Sequence, residues 1–101
     1  FTKKYLIFSG IGNPKDFKKI LQKNKLNIID EIIYPDHFDY KHIDINYIKD
    51  RAKKNSAEII TTEKDFMKIS KLDNNNINFI EINLKIDDEI KLINFIKQKI
   101  S

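Results

Sequence analysis

His37 is the side chain in this sequence best suited to move a proton near neutral pH, because an unperturbed imidazole changes charge there. It follows Tyr34-Pro35-Asp36, just past an isoleucine-rich run, so it belongs to a loop and not to an apolar face. From a loop an imidazole can transfer a proton or orient a carboxylate. Asp36 precedes it directly, but adjacent side chains diverge, so no Asp–His dyad is expected from spacing alone. His42 reads as a surface residue at the start of the next helix.

Two other runs put polar residues in comparable places. Gly10-Ile11-Gly12-Asn13-Pro14 leads from an apolar run into a helix start. Unpaired amides and the helix dipole there favour an anion, and glycine permits a close approach. A tight turn with Asn13 as N-cap explains the same residues without a ligand. The run is not a Walker A loop, since no Gly-Lys-Ser/Thr follows, and it lacks the third glycine of the dinucleotide fingerprint. Thr61-Thr62-Glu63-Lys64-Asp65 also has two readings. Thr62 and Asp65 can open a short helix in the manner of a capping box, while Lys64 offers a charge to a phosphate. Gly12, Asn13, Thr62, Glu63 and Lys64 are therefore candidate lining for a cleft that includes His37. No His, Cys and carboxylate grouping has metal-ligand spacing, and no Ser-His-Asp signature occurs.

The elements that must carry these runs alternate. Tyr5 to Phe8 reads as a buried strand, followed by a helix from Pro14 to about Lys25 with Phe17, Ile20 and Leu21 at helical spacing. Ile28 to Tyr34 is a second strand, ended by Pro35, which has no amide hydrogen for the ladder. A helix over roughly Asp44 to Asn55 follows, with Ile48 and Ala52 inward and Arg51 at the rim. Ala57 to Thr61 is a third strand, and a short helix runs through Met67 and Ile69. Asp73-Asn74-Asn75-Asn76 is a turn-rich loop. Ile77 to Ile86 alternates as a last strand, and Asp87 caps a final helix bearing Ile90, Ile93, Phe95, Ile96 and Ile100. Such alternation predicts a three-layer α/β sandwich with a mostly parallel sheet of about four strands, Rossmann-like in form. Right-handed crossovers then bring all three motif loops to one edge of the sheet.

With 101 residues, the chain has room for one domain. It carries 19 basic and 15 acidic side chains, a formal charge of +4, which would permit an anionic partner. The lysines are interleaved with acids along helices, and the phenylalanines fall in core periods, so no nucleic-acid stripe is expected. Cysteine is absent, which rules out a disulfide framework and fits a reducing compartment. No apolar stretch approaches the ~20 residues that span a bilayer. The chain starts in a strand approach without an initiator Met and reads as a piece of a longer protein.

Taken in order, Phe8-x-Gly10-Ile11-Gly12-Asn13-Pro14-x-x-Phe17, Pro35-Asp36-His37-x-x-Tyr40 and Thr61-Thr62-Glu63-Lys64-Asp65 resemble the C-terminal domain of the tetraacyldisaccharide 4'-kinase family, the P-loop kinases of lipid A synthesis. The match runs from about Phe8 to Ile69. Phe38 and Asp39 depart from it, standing where many members have a second histidine and a proline, and Lys41 replaces a capping Thr or Ser. The resemblance implies that residues 1–101 are the C-terminal part of a two-domain enzyme. That enzyme transfers the ATP γ-phosphate to the 4' hydroxyl of an acylated glucosamine disaccharide 1-phosphate. ATP and magnesium would be held mainly by an N-terminal P-loop domain, so this chain alone would be inactive. The enzyme would act at the cytoplasmic face of the inner membrane, touching its surface. His37 would be the catalytic residue, pairing across a cleft with an aspartate of the other domain. A non-catalytic α/β module that binds an anion or a protein through the same edge is the alternative.

Overall fold

A computed structural model of the chain describes residues 3–83 and 89–91. Along the chain come β1 (Tyr5–Ser9), α1 (Pro14–Lys23), β2 (Ile28–Ile33), α2 (His42–Lys54), β3 (Glu58–Thr62), α3 (Glu63–Lys68), β4 (Ile77–Asn83) and β5 (Glu89–Lys91). The strands lie in the order β2-β1-β3-β4-β5. β1 to β4 are parallel, and β5 adds an antiparallel edge strand beside β4. Chain order therefore reverses between β1 and β3, the kind of switch point where doubly wound α/β sheets open a crevice.

Both faces of the sheet are covered, which is why β1 reads as a nearly continuous apolar run and is buried throughout. Tyr5 and Ile7 of β1 pack on one side with Phe17, Ile20 and Leu21 of α1 and with Ile60 and Ile80. Leu6 and Phe8 pack on the other side with Ile45, Ile48 and Ala52 of α2, and with Ile69 just past α3. Phe66 stacks on Phe79 at 4.4 Å between ring centres and so fastens α3 to β4. The expected three layers are present.

At the sheet's β2 edge, charge interrupts an otherwise isoleucine-built strand. Arg51 of α2 bonds the Asp30 carboxylate through its guanidinium, and Lys18 of α1 pairs with Glu31 at 3.3 Å. Successive strand residues point to opposite faces, so the two pairs tie the strand to a helix on each side.

Most boundaries lie within one or two residues of the sequence reading, and two departures have a clear cause. α2 begins at His42, two residues before Asp44, because the Asp44 carboxylate accepts the Lys41 amide at 2.8 Å and so seals the helix start from within. The expected final helix does not hold at residues 89–91, which are strand β5. Glu89-Ile90-Lys91 alternates as readily as it fits a helical turn, and pairing with β4 supplies its backbone partners. The rest of that helix, its Asp87 cap and positions 84–86 of the last strand lie outside the described residues.

Candidate functional site

The β3–α3 junction builds the site's frame. The Thr61 hydroxyl donates to the Phe8 carbonyl at 2.7 Å, locking the ends of β1 and β3 together. Thr62 is the N-cap of α3, and its hydroxyl oxygen accepts the Asp65 amide at 3.0 Å. Asp65 and Ile69 are four residues apart, so helical spacing turns both inward, and both are fully buried.

A buried carboxylate must be fully bonded to be tolerated. Asp65 Oδ1 accepts the Gly10 amide at 3.0 Å and the Tyr40 hydroxyl at 3.1 Å. Its Oδ2 accepts the Thr62 hydroxyl at 2.7 Å. The Lys68 ammonium stands 3.8 Å from Oδ1 and donates to the Gly10 carbonyl at 3.4 Å. One side chain thus joins the loop after β1, the loop after β2 and the start of α3. No buried side-chain polar atom among the described residues lacks a partner.

Crowding favours glycine at position 10. A Cβ there would lie 3.1 Å from the Pro35 carbonyl, 3.2 Å from the Phe38 Cβ and 3.2 Å from the Tyr40 hydroxyl. Those neighbours form an aromatic nest: Tyr34 stacks on Phe38 at 4.4 Å, and Tyr40 meets Phe38 edge-on at 5.0 Å and Phe8 at 5.6 Å. Phe38 is therefore a packing residue here. Burial first, and the Asp65 carboxylate second, push the Tyr40 phenol far above its ordinary value.

That shift has a readable consequence. Above about pH 10 the unfolded chain ionises this phenol while the folded protein resists, so stability is intact below that pH and falls as pH rises through it. The urea midpoint should drop between about pH 8 and about pH 11, and Tyr40→Phe should reduce that drop. Equal drops in both proteins would show that Tyr40 ionises freely in the fold.

His37 sits on this nest in the left-handed region, at φ 63°. A non-glycine residue held there stores about 1 kcal/mol, and such outliers gather at functional positions. Its amide donates to the Gly10 carbonyl at 3.3 Å, and Phe38 N–H donates to the Pro35 carbonyl at 3.1 Å, closing the turn. The imidazole is 78% exposed and projects away from the core. Contrary to the expected divergence, Nε2 lies 3.7 Å from Asp36 Oδ2, because the left-handed turn folds the ring back over its neighbour. That distance allows charge attraction to a protonated ring but no hydrogen bond.

The other candidates fall on the same edge with unequal roles. Ile11, Thr62, Glu63, Lys64 and Ile80 line a depression of about 240 Å³ beside the β1 loop. Gly12 faces Asp36, whose Oδ2 would be 3.4 Å from an added Cβ. Asn13 caps α1 by position alone, since its side-chain amide goes to Asp16 Oδ2 at 2.5 Å. The Gly10 amide is committed to Asp65, and an acid already occupies the first turn of α1, so this loop is poor at cradling an anion. A larger cavity of about 690 Å³, lined by Lys49, Lys53, Ala57 and Asn78 among others, opens between the end of α2 and the start of β3 and holds none of the candidates.

The sequence reading missed the central part of Asp65, which it took as a helix cap, and the parts of Tyr40 and Lys68. The usable signal was the inward spacing of Asp65 with Ile69.

The family model described as tetraacyldisaccharide-1-P 4'-kinase matches residues 2–101. A tetraacyldisaccharide 4'-kinase of Pelagibacter ubique is 47% identical over 90 residues, covering 89% of this chain and 29% of the relative. Those of Rickettsia felis and Rickettsia canadensis are 42% and 43% identical, each over 86% of this chain. The chain spans less than a third of the length of these curated relatives, 26% to 29% of it. No solved structure matches it.

Proposed function

This chain belongs to the tetraacyldisaccharide-1-P 4'-kinase family, and on that premise we propose that it is the C-terminal domain of an ATP-dependent lipid A 4'-kinase with His37 as its catalytic residue. The acceptor is the 4' hydroxyl of an acylated glucosamine disaccharide 1-phosphate. The observation that carries the reading is the geometry of His37: an exposed imidazole on a strained, well-braced turn at the edge where three loops converge.

Phosphoryl transfer is mainly positioning and charge neutralisation. The chemistry left to this domain is at the acceptor. His37 reaches across an interdomain cleft, bonds an aspartate of the N-terminal domain and holds it oriented to take the hydroxyl proton. Lys64 and Thr62, beside the depression, line the acceptor's side of that cleft, and closure of the two domains excludes water.

Magnesium and nucleotide belong, in this reading, mainly to the N-terminal P-loop domain. Among the described residues no group of three His or carboxylate side chains could hold a metal ion. Asp65 is saturated by Gly10, Tyr40 and Thr62. No helix among the described residues is long and apolar enough to cross a membrane; peripheral contact of the full-length protein with the cytoplasmic face of the inner membrane is a separate part of this proposal.

The test is ATP-dependent phosphorylation of the lipid disaccharide 1-phosphate by the full-length protein, with and without His37. An inert but folded parent protein would hand the lead to a module that binds an anion or a protein through the same edge.

A further inference from the structure

Asp65 is the buried titratable group that the proposed chemistry leaves unused, and it lies one hydrogen bond from the turn that matters. Its Oδ1 holds the Gly10 amide, and the carbonyl of the same glycine accepts the His37 amide. The same Oδ1 holds the Tyr40 hydroxyl, and the Tyr40 ring braces Phe38, the residue after His37. The turn is thus gripped from both sides by one oxygen atom.

We propose that Tyr40 and Asp65 are positioning residues for His37: acting through Gly10 and Phe38, they hold the left-handed turn that presents the imidazole to the reaction. This rests on the catalytic reading of His37 given above. Two features favour it over a purely structural role. Thr62 at the cap and Lys68 at the end of α3 already give the carboxylate a donor and a counter-charge, so helix capping does not require reaching Gly10 or Tyr40. The loop bearing Gly10 also packs tightly on the turn itself, since an added Cβ would lie 3.1 Å from the Pro35 carbonyl and 3.2 Å from the Phe38 Cβ and the Tyr40 hydroxyl. Two of the carboxylate's contacts thus go to the loops that frame the turn, beyond those made within α3 and its cap.

A double-mutant cycle in the full-length protein tests this, with kcat and KM for the lipid disaccharide 1-phosphate as readouts and Tm as the check on folding. Tyr40→Phe keeps the ring and removes the hydroxyl. It should lower kcat by about tenfold and leave KM within about twofold. In the His37→Ala background it should cost nothing further, because a residue acting only through His37 has nothing left to position. Equal slowing in both backgrounds would overturn the proposal, and so would an unchanged kcat in Tyr40→Phe alone, both leaving the kinase reading intact. If His37→Ala itself keeps parental turnover, the catalytic role of His37 falls and this inference falls with it. Should Tyr40→Phe reduce the folded fraction at the assay temperature, the cycle is run at a temperature below its Tm where all four proteins are folded, with the same outcomes expected.

Discussion

Full-length kinase carrying His37→Ala is expected to turn over about 10²-fold or more slowly than the parent, the usual scale of lost acid–base assistance. Its unfolding midpoint should barely move. The imidazole is mostly exposed, and the nearest opposite charge, Asp36, is itself on the surface, so little packing is lost. The backbone needs its own control, because alanine tolerates a φ of 63° less well than histidine does. Asparagine is enriched in that region, so His37→Asn keeps the turn and removes the titrating ring. Both variants should be equally slow, and His37→Asn should melt with the parent. Turnover within about threefold of the parent in either one would remove His37 from the chemistry.

Asp65→Ala should do the opposite: it should lower stability severely. The substitution strands the Gly10 amide and the hydroxyls of Tyr40 and Thr62, and it leaves Lys68 without its buried partner. Removing one member of a buried charged network costs about 3–5 kcal/mol. Small domains hold only about 5–15 kcal/mol in total, so the variant should be partly unfolded at 37 °C or close to it. Urea denaturation followed by far-ultraviolet circular dichroism measures the loss. Asp65→Asn should cost less, because an amide can still accept from Gly10 and Tyr40. A loss below about 1 kcal/mol for Asp65→Ala would mean that water replaces the carboxylate with little penalty.

Much of this arrangement could be read from the chain. The isoleucine runs of β2 and β3 and the helical spacing of Phe17, Ile20 and Leu21 set the layers, since burial on both faces leaves few alternatives. Proline at 35 and the glycines at 10 and 12 marked where strands become loops. Convergence of the three loops followed from the handedness of the crossovers. What could not be read was which polar residue would hold the loops together. Thr62 and Asp65 have a sufficient local explanation as a helix start, and local pairing hides a carboxylate's long-range partners 55 and 25 residues away. The turn at His37 was equally hidden, because a positive φ in a histidine depends on what surrounds it. The strand at residues 89–91 was misread since three alternating residues fit either period.

The charged pair in the middle of β2 bears on how this protein behaves in a crowded cell. Ile28-Ile29-Asp30-Glu31-Ile32-Ile33 would, without its acids, be an aggregation-prone hexapeptide lying along an open sheet edge. Asp30 and Glu31 stand as gatekeepers at its centre, and each is paired with a helix cation, Arg51 on one face and Lys18 on the other, which favours keeping charge beside that edge. In an isoleucine-rich chain of this kind, charge fixed in the middle of an edge strand works against edge-to-edge pairing.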